Sequence, residues 1–392
     1  MEPILVLNSG SSSIRAASFD LRSGGAPHCV ASLRVTGISR SQGHLERTVG
    51  GGPSVRSSIE VSDHREAFSA IFGALAEERL PDPVVVGHRI VRGPRGVTKP
   101  TFLGGGLWEA LERLQASAPL HLPAELTGVR SAREHFPAAR QAACFDCSFF
   151  ASLPTVARRL PIPRKLASAG VERIGYHGLS YEFVVSALDL PDRTVVAHLG
   201  SGASMTALQG SRPVDTTMGF TPAGGLMMGT RSGDLDPGVL VAAMRREHLD
   251  AAGMDRLVNL RSGLTGVSGG ESDMRSLLES SKDDALAREA VESFCWVARK
   301  HLGSMMAVLG GIDLLVFTGG IGEHAPEVRA EILRDLEGMG FRLDGDANRK
   351  SASTISAPGS SVTIRIVHTD EELVIARHVA GLMGIRADGG PG

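Results

Sequence analysis

Lysine is scarce in this sequence of 392 residues, because only five of its 41 basic residues are lysine and 36 are arginine. An arginine in place of a lysine is therefore weak evidence that the role of a position has changed. The net charge of −2 gives no reason to expect a nucleic acid or an anionic membrane as partner. The sequence also lacks an apolar run of membrane-spanning length and a basic leader with an apolar signal core. We expect a cytoplasmic protein.

Cysteine is also scarce, and four residues in a chain of this length do not form a disulfide framework. Cys144 and Cys147 do form a CxxC pair, within the stretch QAACFDCSFF. This stretch is typical of a buried strand, in which a spacing of three places two side chains on opposite faces. Burial as small hydrophobic side chains is thus favoured over a shared metal ion.

The chain is organised around a turn between two strands near its start. The apolar strand Ile4–Leu7 leads into the residues Asn8 to Ser13, and an alternating strand follows from Ile14. Gly10 gives the backbone freedom, and the turn's N–H groups can bind a polyphosphate. An ordinary hairpin turn would use the same residue types, so this stretch alone leaves both interpretations open.

The same design recurs about 190 residues later, in Val195–Gln209. Aligning the two stretches pairs Asn8 with His198 and Gly10 with Gly200. A repeat of this size indicates a duplicated domain. The length of the chain allows two domains, each with its own core.

Between and after these turns, strand patterns alternate with helix patterns, which predicts an α/β fold. The stretch 39–58 is rich in Gly, Ser and Arg and is interpreted as a surface excursion. The strand Gln141–Phe145 places Asp146 at a carboxyl end, where ligands collect in α/β sheets. The strand Ile312–Phe317 runs into a third glycine-rich turn at a helix N-terminus, a third candidate anion site. The last residues, ADGGPG, are expected to be disordered.

Nine segments together resemble the acetate kinase family, in family order and across essentially the whole chain. They are LNSGSSSIR, VGHRIVRG, APLHLP, CFDCSF, GYHGLSY, AHLGSGAS, GFTPAGGLMMGTRSGDLDP, FTGGIGE and TDEELVIAR. The resemblance implies two duplicated ribonuclease H-like domains of the actin-like ATPase type, with the active site in the cleft between them. The first would comprise residues 1–146 with 372–392, and the second, for nucleotide binding and dimerisation, residues 147–371.

The implied activity is reversible transfer of the ATP γ-phosphoryl group to acetate, which gives acetyl phosphate for acetyl-CoA biosynthesis. The implied assembly is a homodimer, and the implied metal is Mg²⁺ or Mn²⁺, held by Asn8 and Glu371. Asp146, His177 and Arg231 would be catalytic. The acceptor would be bound by Arg89, Val91, Leu120, Tyr176 and Pro222. The nucleotide would be bound by Arg15, His198, Leu199, Gly200, Ser201, Gly202, Asp273, Met274, Arg275, Gly320, Ile321, Gly322, Glu323 and His324.

The residue types suit these roles. A phosphoryl group in transfer spreads negative charge over three oxygens, so it needs positioning and positive charge. Acetate is already ionised at neutral pH, which favours Asp146 as an orienting group over a base. Purely structural roles stay open for some residues. Arg231 could form a structural ion pair, His198 could connect strand ends, and Val91 could pack in the core. His121 could be a packed loop histidine.

The sequence departs from the family pattern at five positions. The family usually has Lys at Arg15, Asn at Ser201, an aromatic residue at Met274, His at Phe150 and Phe at Tyr176. A serine at 201 loses a carboxamide donor, which predicts weaker nucleotide binding. Met274 would cover the adenine, and the Tyr176 hydroxyl would tighten the acceptor pocket.

Other functions stay open at this stage. They are a propionate or butyrate kinase, a pyrophosphate-dependent kinase, a non-catalytic ATP-binding module and a sugar kinase. Intact Arg89, Asp146 and Arg231 disfavour a module that only binds ATP. An acceptor side that carries arginine, without Asn, Asp or Glu for hydroxyl groups, disfavours a sugar kinase.

Overall fold

The computed structural model describes residues 2–10, 12–21, 26–39, 42–115 and 122–385. The chain divides into two compact units. Unit one extends to Ser148 and resumes at Asp370, and unit two is Phe149–Thr369. The predicted site residue Leu120, its neighbour His121 and the tail ADGGPG lie outside the described residues.

Unit one is built on a sheet of eight strands in the order β5-β4-β3-β2-β1-β6-β8-β7. These strands are β1 (Glu2–Ser9), β2 (Ser13–Leu21), β3 (Pro27–Thr36), β4 (Gly43–Val49), β5 (Val55–Ile59), β6 (Val85–Ile90), β7 (Thr101–Phe102) and β8 (Arg140–Phe145). Strand β1 pairs antiparallel with β2 and parallel with β6, and β6 pairs parallel with β8. The carboxyl ends of β1, β6 and β8 therefore lie side by side at one edge of this sheet.

Four helices are described in unit one. They are α1 (His64–Glu77), α2 (Gly105–Leu114), α3 (Leu122–His135) and α15 (Glu371–Leu382). The C-terminal helix α15 packs closely on β6 because Gly87 has no side chain. A Cβ at Gly87 would lie 2.7 Å from Val379 and 2.8 Å from Ile375. This close packing explains why the end of the chain belongs to unit one.

Unit two is built on a sheet of five strands in the order β11-β10-β9-β12-β13. These strands are β9 (Thr194–Leu199), β10 (Ala203–Gln209), β11 (Arg212–Thr216), β12 (Leu314–Thr318) and β13 (Thr363–Ile366). Their order and directions repeat those of β3-β2-β1-β6-β8 in unit one, two antiparallel pairings followed by two parallel ones. The α/β class and the duplicated domain predicted from the sequence are confirmed.

Eleven helices are described in unit two. They are α4 (Thr155–Arg158), α5 (Arg164–Ser168), α6 (Gly178–Ala187), α7 (Pro237–Arg246), α8 (Ala251–Leu260), α9 (Gly263–Ser268), α10 (Met274–Ser280), α11 (Ala285–Leu309), α12 (Gly319–His324), α13 (Pro326–Leu333) and α14 (Gly345–Arg349). The predicted buried stripe on α11 is present, with Ala290, Phe294, Ala298 and Leu302 all buried. Among the described residues, no helix combines the length and apolar character that a membrane crossing requires.

Two local predictions are wrong. The stretch 39–58, interpreted as a surface excursion, contributes β4 and most of β5 to the sheet. Residues 55–58 of β5 are exposed, so the strand lacks the alternation of apolar and polar residues that predicts strands. Cys147 lies beyond β8, in a 3₁₀ helix at Asp146–Ser152, so it does not share a strand with Cys144.

Candidate active site

The first glycine turn of unit one carries Asn8, which is buried at the end of β1 and pairs with Arg15 on β2. The Asn8 amide donates hydrogen bonds of 2.9 Å to Glu371 and Glu372, the first two residues of α15. Asp370 caps this helix and accepts a bond from the Leu373 N–H at 2.8 Å. Asn8, Glu371 and Glu372 therefore form one cluster of oxygen-bearing side chains.

Electrostatics single out Glu372 within this cluster. Burial raises the pKa of the Glu372 carboxyl, and the negative charge of Glu371 raises it further. The charge of Arg15 and the Asn8 hydrogen bond act in the opposite direction. Two adjacent carboxylates beside an amide are hard oxygen donors of the kind that Mg²⁺ prefers, so the residues present fit a divalent cation.

A partly buried ion pair lies at the carboxyl ends of β6 and β8. Arg89 Nη2 donates to Asp146 Oδ2, and Asp146 is fully buried. Arg89 Nε lies 3.9 Å from Glu371 Oε2, which links this pair to the Asn8 cluster. Burial alone would lower the pKa of Arg89, but the charges of Asp146 and Glu371 outweigh burial and shift the pKa upward. Arg89 is thus a permanent cation in a buried setting.

Glu125 is a site residue that the sequence analysis missed. It lies on α3 with 2% of its surface exposed, and its carboxylate accepts a 3.0 Å bond from the Val91 N–H. Burial raises its pKa to about 8, although the charge of Arg89 opposes that shift. The sequence could have indicated Glu125, because it lies between the apolar Leu122 and Leu126, and charged side chains rarely occupy apolar helix faces.

The second glycine turn, in unit two, joins β9 to β10 and is closed by a 3.0 Å bond from Gly200 N–H to Gly202 O. His198 precedes the turn, and its Nδ1 is 2.8 Å from Ser180 Oγ. The His177 ring stacks on His198 with centroids 4.3 Å apart. His198 therefore connects the turn to helix α6, on which Ser180 lies.

His177 and Arg231 converge beside this turn. His177 has a left-handed backbone conformation, with φ of 62°, and its Nδ1 is 2.9 Å from Ser204 Oγ. A Cβ at Gly202 would lie 3.3 Å from His177 Nε2 and 3.5 Å from Arg231 Nη1. Arg231 Nη1 also donates to Pro222 O at 3.3 Å. Ser204, which orients His177, was not predicted from the sequence.

Tyr176 lies in the same region of unit two. Its ring is buried, and its hydroxyl donates a 2.8 Å bond to Phe220 O, two residues before Pro222. A buried tyrosine hydroxyl requires such a partner. Tyr176 thus bonds to the segment that carries Pro222, a second predicted acceptor residue, whose carbonyl accepts the bond from Arg231.

The third glycine turn lies beside the second because β12 runs parallel to β9. Gly319 has φ of 77°, and a Cβ there would lie 2.7 Å from Leu199 O. A Cβ at Gly200 would lie 3.9 Å from Gly320 N. The two glycine-rich turns therefore form a continuous backbone surface over Leu199, Gly200, Gly319 and Gly320.

The remaining predicted nucleotide residues lie on two neighbouring segments. Ser201 is exposed and accepts a 3.0 Å bond from Gly229 N–H through its carbonyl. Asp273 caps α10 by accepting bonds from the N–H groups of Arg275 and Ser276. Met274, expected to cover an adenine, is 4% exposed and packs within unit two. Ile321, Gly322, Glu323 and His324 complete α12.

Comparisons with known proteins identify the family of the chain. The model of the acetokinase family matches residues 3–377. An acetate kinase of Rhodopseudomonas palustris is 41% identical, and the alignment covers 99% of each chain. The crystal structure of Porphyromonas gingivalis acetate kinase has a TM-score of 0.83 and 34% identity, and covers 98% of this chain and 100% of that one. A propionate kinase from Francisella tularensis has a TM-score of 0.87 and 31% identity, and covers 96% and 99%. The chain belongs to the acetokinase family.

Proposed function

We propose that this protein is an acetate kinase that reversibly transfers the γ-phosphoryl group of ATP to acetate, giving ADP and acetyl phosphate. Family membership and relatives named acetate kinase support this activity. The observation that carries it is the convergence of His177 and Arg231 beside Gly202. Two hydrogen-bond donors that meet beside a glycine-rich turn are suited to bind the oxygens of a phosphoryl group. They are less suited to bind the hydroxyl group of a sugar acceptor.

Unit one would supply the metal groups and some of the acceptor groups. Arg89 would bind the acetate carboxylate through its guanidinium, held in place by Asp146. Val91 and Leu120 would contact the methyl group. Asn8 and Glu371 would hold Mg²⁺ or Mn²⁺, directly or through water. When bound, this ion would neutralise charge on the phosphate oxygens.

Unit two would supply the nucleotide groups. The backbone of Leu199, Gly200 and Gly202 and the turn Gly320–His324 would bind the phosphates. Asp273, Met274 and Arg275 would contact the base and ribose, and Ser201 the phosphates. Arg15, on β2 of unit one, would add positive charge. Gly320 supports this assignment because a Cβ there would meet nothing within 4 Å among the described residues, which leaves open space at the turn.

His177 and Arg231 would stabilise the phosphoryl group in transfer. Each donates from a fixed position, His177 because of Ser204 and Arg231 because of Pro222. Fixed donors need no reorganisation as charge develops, which makes them effective in catalysis. Asp146, fully buried against Arg89, would orient the acceptor, and no base is needed for an ionised carboxylate.

A second candidate activity is propionate phosphorylation, since one structural neighbour is named a propionate kinase. Tyr176 and Pro222 would line the pocket at the acid's alkyl end. The Tyr176 hydroxyl, bonded to Phe220 O, occupies volume that a phenylalanine would leave free. An apolar pocket distinguishes one methylene by about 1–3 kcal/mol. We infer acetate as the preferred acid.

We also propose a cytoplasmic homodimer, with the two units as its functional domains. Helix α7 supports the dimer because it buries none of its ten residues. Val239, Val241 and Met244 on this helix are exposed, as is Leu260 on α8. A second copy would remove these apolar side chains from water. Sedimentation of the purified chain at several concentrations tests this assembly, and a monomer throughout would contradict it.

The activity is tested by trapping the acyl phosphate with hydroxylamine. The purified chain is incubated with Mg²⁺, ATP and acetate, propionate, butyrate or no acid. We expect most acyl hydroxamate with acetate, clearly less with propionate and almost none with butyrate. Propionate equal to acetate would indicate a propionate kinase, and no acid-dependent product would refute the proposal. Replacing ATP with pyrophosphate checks the donor.

A further inference from the structure

Three potential metal ligands meet at the carboxyl edge of the sheet of unit two. Glu323 and His324 end helix α12, which follows β12 directly. His368 follows β13, which runs parallel to β12 with Phe317 opposite Ile366. Adjacent parallel strands deliver their following residues to one place, so the meeting of these side chains is a consequence of the topology.

The ligand atoms are close enough for one ion. Glu323 Oε2 lies 2.7 Å from His368 Nδ1 and 3.9 Å from His324 Nε2. One ligand atom from each residue can be chosen so that all lie within 4.8 Å of one another. Zinc–ligand bonds of about 2.0–2.2 Å place tetrahedral ligand atoms about 3.3 Å apart, a value within the observed range.

The glutamate is oriented by hydrogen bonds to its other oxygen. Glu323 Oε1 accepts a 3.0 Å bond from Gly319 N–H and a 3.3 Å bond from Thr318 Oγ1. These bonds hold the carboxylate so that Oε2 faces both imidazoles. Supporting hydrogen bonds of this kind are typical of metal ligands. The Glu323 side chain is 13% exposed, whereas both imidazoles are 64% exposed and accessible to an ion from solvent.

We propose that Glu323, His324 and His368 bind a borderline divalent transition metal, with Zn²⁺ as the reference ion. Two imidazoles and one carboxylate suit Zn²⁺, Co²⁺ or Ni²⁺, whereas Mg²⁺ prefers oxygen ligands alone. In the metal-bound form His368 carries its proton on Nε2, because Nδ1 takes the ion in place of its bond to Glu323. Water completes the coordination. This site differs in ligand type from the proposed magnesium site at Asn8 and Glu371 of unit one. It uses the side chains of Glu323 and His324, whereas the turn Gly320–His324 is proposed to bind phosphates through its backbone.

The test measures metal binding by the purified full chain, after removal of metals with a chelator. Zn²⁺ is titrated against a colorimetric zinc indicator with millimolar Mg²⁺ present, and Co²⁺ binding is followed by visible absorption. We expect one Zn²⁺ per chain that Mg²⁺ does not displace, and Co²⁺ bands of a low-coordinate site. His324→Ala and His368→Ala should each weaken Zn²⁺ binding at least about tenfold, since even a supporting residue contributes that much.

His28→Ala is the matched control, because His28 is an exposed histidine of unit one. It should bind Zn²⁺ like the unaltered chain. Circular dichroism checks that each variant is folded, and the Co²⁺ spectrum of the unaltered chain tests the site without any substitution. Equal zinc affinity in all four proteins, or a six-coordinate Co²⁺ spectrum, would overturn the proposal. A site that millimolar Mg²⁺ empties would overturn it too.

Discussion

Replacing Gly202 with alanine introduces a methyl group between two side chains of unit two. The added Cβ would lie 3.3 Å from His177 Nε2 and 3.5 Å from Arg231 Nη1. The first distance is shorter than ordinary van der Waals contact. His177 cannot simply rotate away, because Ser204 holds Nδ1 at 2.9 Å and His198 stacks on the ring at 4.3 Å. The imidazole must therefore shift by a few tenths of an ångström, whereas the guanidinium stays in ordinary contact with the added methyl group.

The size of the effect follows from that shift. A misplacement of about 1 Å costs about a hundredfold in rate, so a smaller shift of the His177 imidazole should cost about tenfold. This corresponds to about 1.4 kcal/mol on the barrier. The assay is kcat for acetyl hydroxamate formation under saturating ATP and acetate. The free energy of unfolding should change by less than about 1 kcal/mol, because the methyl meets only side-chain ends.

Gly303→Ala is the matched control for this prediction. Gly303 lies within α11, and a Cβ there would meet nothing within 4 Å among the described residues. Alanine should stabilise this helix by up to about 1 kcal/mol and leave kcat unchanged. An unaltered kcat in the Gly202→Ala protein would refute the claim that the position of His177 beside Gly202 matters for phosphoryl transfer.

Three further predictions concern the nucleotide, the acceptor and pH. Ser201→Asn should lower the KM for ATP, because it restores a carboxamide donor at an exposed turn position; an unchanged KM would contradict this. Tyr176→Phe should narrow the ratio of kcat/KM between acetate and propionate, since it removes the hydroxyl bonded to Phe220; an unchanged ratio would show that Tyr176 lies away from the pocket. Glu125 has an ordinary pKa of 4.5 and a folded pKa of about 8, so the folded state binds more protons between these values and loses stability as pH rises. The unaltered chain should therefore lose about 3–5 kcal/mol of unfolding free energy between pH 4.5 and 8, whereas the Glu125→Gln variant should not show this loss. Urea unfolding at several pH values measures the difference, and parallel pH profiles for the two proteins would contradict the prediction.

The sequence predicted the fold well where the local strand pattern and the internal repeat of the glycine turn agreed. The likeness of Val195–Gln209 to the first turn indicated duplication, and the matching strand orders confirm it. The same reasoning failed at β5, where an exposed edge strand carries no burial signal. The placement of the active site between the domains stays a prediction.

For the candidate site, motifs gave residue identities but not their partners. The position of Asp146 at the end of β8 followed from strand pattern, yet its burial against Arg89 did not. Glu125 and Ser204 act through contacts to residues 34 and 27 positions away, Val91 and His177. Such contacts depend on tertiary packing, which local sequence does not encode. Glu372 could have been predicted from the sequence, because it follows Glu371 directly at the start of the last helix.

The central claim is that Arg231 stabilises the phosphoryl group in transfer to acetate. Arg231→Ala should lower kcat by about a thousandfold, as for other arginines that contact a phosphoryl in transfer, with little change in ATP affinity measured by calorimetry. Arg212→Ala, which removes an exposed arginine of the same unit, should leave both quantities unchanged. A near-normal kcat in the Arg231→Ala protein would contradict the account.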